Sequence, residues 1–177
     1  MGDEVPGQAA PLGGVLPARR FLLVLVGTGL FTGYFPVAPA TFSSLFVLVP
    51  AYFLAPLPLW HALAIVAVFF VGVPVSTELE KVWGKDPGRV TIDEVVGTLI
   101  TFFLIPVSLW GLVPGFFLWR FFDIVKLPFI DRSQKLPGGW GIMIDDVLAG
   151  VCANLALRLF IWAVRIVWPA VGLALLR

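Results

Sequence analysis

The run from Val95 to Trp119, VVGTLITFFLIPVSLWGLVPGFFLW, carries no charged residue, and the way it folds decides the architecture of the whole chain. With a rise of about 1.5 Å per residue it is long enough to cross a bilayer once as a continuous helix. A single crossing puts the charged segments on either side of it, residues 78 to 94 and 120 to 146, at opposite membrane faces. Pro106, Gly111 and Pro114 near its middle favour instead two short helices joined by a turn, an arrangement tolerated in lipid where protein covers the broken backbone. Such a hairpin brings both charged segments to one face.

Outward from this run, apolar stretches recur at about 21 to 31, 45 to 59, 60 to 76 and 147 to 176. Backbone polar groups in lipid must be satisfied within their own segment, and strict strand alternation is absent, so the expected fold is all-α: a multi-helix integral membrane bundle with proline-broken and re-entrant helices. Pro36 and Pro39 fall in the first loop, Pro50, Pro56 and Pro58 around the second stretch, and Pro74 is expected to end the third. Only Trp60 to Ser76 approaches the ~17 to 25 residues of a straight span. In the last stretch Pro169 bends or ends the helix, and Arg158 falls about 18 Å beyond Asp146 along a straight helix, where it must face protein unless the helix runs obliquely. Asn154 reads as an interhelical hydrogen bond.

Composition agrees with lipid as the solvent. The 177 residues are 59% hydrophobic, with mean hydropathy +0.99. They suit a flexible tail over 1–18 and one membrane-embedded domain over 19–177. A net charge of +1 offers no basic field, which excludes a nucleic-acid binder. Cys152 is the single cysteine, so no disulfide framework or cysteine zinc cluster exists. The lone His61, after Trp60, reads as an interfacial polar residue and rules out a histidine-rich metal site. The tail opens with Asp3 and Glu4 rather than the basic start of a secretory signal. Arg19, Arg20 and the lysines and arginines of both charged segments point to the cytoplasmic side.

The acids beyond the tail gather in those segments: Glu78, Glu80, Asp86, Asp93 and Glu94 in the first, Asp123, Asp131, Asp145 and Asp146 in the second. Carboxylates converging at a membrane surface repel one another and need a cation; oxygen donors without a soft ligand suit Mg²⁺ or Mn²⁺. A structural alternative exists at both sites. Thr91-Ile-Asp-Glu94 has the spacing of a capping box, and Asp145 and Asp146 could cap the helix that begins at Val147. Arg120, Asp123 and Lys126, spaced by three, would stack on one helix face, either as a surface ion-pair ladder or as a metal ligand flanked by two phosphate-holding cations. The loop through Gly27, Gly29 and Gly33 into Thr41, Ser43 and Ser44 could bind an anion at a helix start, although close helix packing is the plainer reading. Gly138 to Gly141 lets the chain turn sharply before the Asp145-Asp146 pair.

Four blocks in order resemble the phosphatidylglycerophosphatase A family over nearly the whole length after the tail. They are GTGLFTGYFPVAPATFSSL from Gly27 to Leu45, GKDPGRVTIDEVVG from Gly84 to Gly97, RFFDIVK from Arg120 to Lys126, and GGWGIMIDDVLAG from Gly138 to Gly150. Departures are Ala40 and Ser43, where the family usually has glycine, and Leu127, which intervenes before Pro128. The resemblance implies Mg²⁺-dependent removal of the terminal phosphate from phosphatidylglycerophosphate in the bacterial cytoplasmic (inner) membrane, by a multi-pass protein working among membrane phospholipids with its site facing the cytoplasm. It implies Asp93, Glu94, Asp123, Asp145 and Asp146 as metal-holding and catalytic acids, and Thr41, Ser43, Ser44, Lys85, Arg120 and Lys126 as substrate contacts. Glu94 or Asp146 would be the general base, with a carboxylate nucleophile giving an aspartyl-phosphate also open. The competing classes are a small transporter, whose acids should lie inside spans, and a non-catalytic scaffold.

Overall fold

The computed structural model describes residues 17–176, so most of the tail expected over 1–18 lies outside the described residues. Helix α1 spans Pro17–Gly27 and is followed by a single 3-10 turn, Thr32–Tyr34. Helices α2 (Pro39–Leu54), α3 (Pro58–Trp83), α4 (Ile92–Phe102), α5 (Leu109–Ile124), α6 (Pro128–Ser133), α7 (Gly139–Val167) and α8 (Pro169–Ala174) follow. No strand occurs among the described residues, where the one β-type pairing is an isolated bridge between Val107 and Leu176.

Proline explains four of the helix starts. Pro39, Pro58, Pro128 and Pro169 each occupy the first turn of their helix, where the missing N–H has no partner to lose. Pro74 departs from expectation: α3 continues through it to Trp83. Buried Val73, Val75 and Leu79 pack the helix on both sides of the proline, and that packing outweighs one lost backbone bond.

The uncharged run does break. Helix α4 stops at Phe102, Leu104 takes a left-handed conformation (φ 57°), and α5 begins at Leu109 with Ser108 as its N-cap. Pro106 lies in this turn, whereas Gly111 and Pro114 are absorbed into α5. Side chains from the start of α4 and the end of α5 meet, as the Glu94–Arg120 ion pair shows, so the two charged segments do share one end of the molecule.

Among the described residues two helices, α3 and α7, are long and apolar enough to cross a membrane. Their outward faces are apolar stripes at helical spacing: Leu59, Leu63, Val66 and Phe70 on α3, and Leu155, Leu159, Trp162 and Ile166 on α7, all exposed. Faces of that kind call for lipid rather than water. Inside, α4 is the central helix and packs on α2, α3 and α7. Phe102, Leu99 and Leu157 fill the core toward the α4–α5 turn, while Trp119, Ile130, Ala149 and Ala153 fill it between α5, α6 and α7.

Candidate active site

Two glycines set the distance between the acid-bearing helices. Gly97 lies one turn after Glu94 on α4, and Gly150 one turn after Asp146 on α7. A Cβ on Gly150 would sit 2.6 Å from the Gly97 carbonyl oxygen, and one on Gly97 would sit 2.0 Å from the Trp119 ring of α5. Having no side chain at these points lets the helices touch, as small residues do wherever membrane helices pack tightly. One turn toward the charged end, the same three helices present Glu94, Asp146 and Asp123.

Carboxylate oxygens of Glu94, Asp123 and Asp146 lie within 4.8 Å of one another, and all three residues are buried. Arg120 Nη1 donates to Glu94 Oε2 at 2.7 Å and pairs with Asp123 Oδ2 at 2.9 Å. Ser44 Oγ donates to the same Glu94 oxygen at 2.7 Å and accepts from Trp119 Nε1 at 3.0 Å. Asp145 Oδ2 accepts from Lys126 Nζ and from Gln134 Nε2. By contrast Asp146 Oδ2 and Asp145 Oδ1 are buried with no hydrogen-bond partner.

Five carboxylates, with Asp93 half-buried beside Glu94, thus face two cations among the described residues, Arg120 and Lys126. Burial, then the charges of Glu94 and Asp145, pushes the Asp93 carboxyl well above its usual range. Burial and the Asp123 charge raise Glu94 too, against the opposing pull of Arg120. For Lys126, burial disfavours the ammonium, but its hydrogen bond and ion pair with Asp145 more than reverse that, and its pKa rises. Negative charge in this excess requires either protons or a further cation. All the donors are oxygen, two of the oxygens are unsatisfied, and neither Cys152 nor His61 is near: His61 is buried at the other end of α4, bonded to the Leu99 carbonyl. These residues fit a hard divalent cation such as Mg²⁺.

The capping alternatives fail on geometry. Thr91 is the N-cap of α4 but makes no side-chain cap bond; its hydroxyl meets Thr32 Oγ1 at 3.3 Å, and Glu94 turns inward to Ser44 and Arg120. Helix α7 begins at Gly139, directly after Gly138 turns the chain with φ 60°, so Asp145 and Asp146 lie well past its first turn and cannot cap it. Helix α5 ends at Ile124, so Lys126 leaves the Arg120–Asp123 face and pairs with Asp145 instead. His61, next to Trp60, is covered by protein and holds the Leu99 carbonyl, so it is no metal ligand here.

Of the hydroxyls in the glycine loop, Ser44 alone reaches the acids. Ser43 Oγ turns to the Thr91 carbonyl at 3.4 Å, and Thr41 takes no part in the cluster's hydrogen bonds. The loop itself is clamped on the segment before α4, with Thr91 N donating to the Gly27 carbonyl at 2.9 Å. Lys85 is exposed and lines a neighbouring cavity of about 230 Å³ with Gln134 and Lys135. Sequence reasoning passed over Gln134 and Trp119, whose roles arise only when α5, the 134 region and α7 come together.

Residues 25–161 match the family described as Phosphatidylglycerophosphatase A. The chain belongs to the phosphatidylglycerophosphatase A family. A phosphatidylglycerophosphatase A of Escherichia coli K12 is 33% identical over 134 residues, covering 72% of this chain and 76% of that protein. The Haemophilus influenzae phosphatidylglycerophosphatase A is 48% identical over 71 residues, 38% of this chain and 43% of its own. A candidate phosphatidylinositol-3-phosphatase of Bacteroides thetaiotaomicron is 39% identical over 153 residues, 81% of this chain and 96% of that relative. No solved structure matches. As a phosphatidylglycerophosphatase A family member the chain is an enzyme of the phosphoric monoester hydrolase class.

Proposed function

We propose that the acid cluster is the active site of a lipid phosphatase that converts phosphatidylglycerophosphate to phosphatidylglycerol and inorganic phosphate with Mg²⁺ held by Glu94, Asp123 and Asp146. The observation that carries this reading is the meeting of three buried carboxylates from three helices around an Asp146 Oδ2 that no protein donor satisfies. When bound, Mg²⁺ supplies positive charge to the phosphoryl oxygens as the ester bond breaks.

The protein's own groups divide the remaining tasks. Glu94 Oε2 is already engaged by Ser44 and Arg120, which leaves Asp146, through the carboxylate oxygen that would not hold the cation, as the base that takes a proton from the attacking water. The acids engage Arg120 through Nη1, so its other N–H groups remain for a phosphoryl oxygen. Lys126 and Gln134 hold Asp145 in place at the edge of the cluster. Asp93 accepts from the Glu94 N–H at the edge of the cluster, and Lys85, exposed on the adjoining cavity, attracts the anionic headgroup. In the membrane, α3 and α7 cross, α4 and α5 form a re-entrant pair, and the acid end faces the cytoplasm of a bacterial inner membrane, where the lysine- and arginine-bearing segments lie.

The Bacteroides relative favours a second reading, in which the phosphomonoester sits on an inositol headgroup. Purified protein given phosphatidylglycerophosphate and phosphatidylinositol 3-phosphate in turn, with Mg²⁺ and with EDTA, separates the two. Release of phosphate from the first lipid, lost with EDTA and restored by Mg²⁺, is the expected result. Preference for the inositol lipid would move the substrate, and release indifferent to EDTA would remove the metal.

A further inference from the structure

At the opposite end of α7 from the acids, a cavity of about 510 Å³ opens between α7, the α4–α5 turn and the segment after α8. Ile105, Pro106, Arg158, Trp162, Arg165 and Leu176 are among its walls, and among the described residues no carboxylate side chain is. Between Val147 and Leu176 the only charged side chains are Arg158 and Arg165, two turns apart on one face of α7. Arg158 is partly engaged, its Nε with Asn154 Oδ1 at 2.9 Å and its Nη2 with the Phe103 and Leu104 carbonyls. Arg165 has no hydrogen bond or ion pair with any described residue.

Depth and surroundings say what covers them. At about 1.5 Å per residue Arg165 lies about 28 Å beyond Asp146 along α7, close to the ~30 Å of a hydrocarbon core. Trp60, Trp110, Trp162 and Trp168, all exposed, belong to this same end, as an aromatic belt at a membrane surface does. That depth puts the Arg165 guanidinium at headgroup level, where a lipid phosphate matches its fork of donors. Apolar walls beside the two arginines match acyl chains. We infer that this arginine-bearing cavity binds the headgroup of an anionic phospholipid in the leaflet opposite the acid cluster. The inference does not depend on the phosphatase reading.

The test uses the full chain in phosphatidylcholine nanodiscs, titrated with phosphatidylglycerol whose acyl chains are brominated, with tryptophan quenching as readout. The signal from this site is the part lost in Trp162→Phe. Quenching at Trp162 should saturate at a concentration at least fivefold lower for brominated phosphatidylglycerol than for brominated phosphatidylcholine. Arg165→Gln should raise that midpoint at least fivefold, and Arg165→Lys, which keeps the charge, should recover at least half of the shift, while phosphate release is unchanged in both. Equal quenching by the two lipids, an unmoved midpoint in Arg165→Gln, or a lysine that recovers nothing would each overturn the proposal.

Discussion

The two ends of α7 treat buried polarity in opposite ways. At the far end Asn154 Nδ2 donates to the carbonyls of Ile100, Thr101 and Phe103, and Arg158 to those of Phe103 and Leu104, so polar side chains repair the backbone that α4 leaves open where it stops. At the near end Asp145 and Asp146 meet Glu94 and Asp123, and the available donors fall short of the oxygens that need them. Satisfied polarity in an apolar bundle reads as structure; polarity left wanting reads as a place kept for something else. Changes at the two ends should therefore separate activity from stability.

The largest effect is expected at Asp146. Asp146→Asn keeps the shape and removes the charge, and phosphate release with Mg²⁺ should fall on the order of 10²–10³-fold, as when one electrostatic contact to a transition state is removed. Thermal unfolding in detergent should show a fold as stable as the parent or more so, because a buried unpaired charge is gone. Undiminished Mg²⁺-dependent turnover would mean that the acid end is not where the chemistry occurs.

Gly97→Ala comes next. Its Cβ would meet the Trp119 ring, which must swing away and take its hydrogen bond from Ser44, and so loosen the support of Glu94. Affinity for Mn²⁺, followed by titration calorimetry, should drop about 10- to 100-fold, the range for losing the partners that orient metal ligands. Unchanged affinity would show that helix spacing does not set the acid cluster.

At the far end Asn154→Leu should do the reverse. The Thr101 carbonyl loses its donor, whereas that of Ile100 keeps Phe103 N and that of Phe103 keeps Arg158; the cost is about 1–3 kcal/mol in stability as read from thermal unfolding, while turnover per folded molecule and Mn²⁺ affinity stay at parent values. A fall in Mn²⁺ affinity would couple the two ends and erase the distinction between them.

Much of this contrast was readable in the residues. A run of uncharged residues interrupted by Pro106 announced the break between α4 and α5, and the pairing of acids at Asp93-Glu94 and Asp145-Asp146 announced the charged end. Asn154 was readable as an interhelical bond because an amide in a membrane helix needs a partner. Pro74 misled because local propensity speaks against a helix interior, while the buried residues around it decide in favour. Lys126 misled because a spacing of three presumes a helix that ends two residues too soon. Gln134 and Trp119 gave no signal at all, since each acts on a residue far away in the chain through contacts that only packing creates.

Thr91→Ala offers the smallest effect and the finest test. From spacing alone, Thr91 and Glu94 form a capping box, and losing the cap costs about 1 kcal/mol. In the fold the Thr91 hydroxyl only meets Thr32 Oγ1 at 3.3 Å, and Thr32 Oγ1 also donates to the Gly29 carbonyl at 2.9 Å. Removing it therefore sacrifices one long contact, and stability should fall by less than about 1 kcal/mol, below Asn154→Leu, with phosphate release unaltered. A larger loss would mean that Glu94 divides its time between the helix end and the acid cluster, so that the same carboxylate serves structure in one state and the cation in the other.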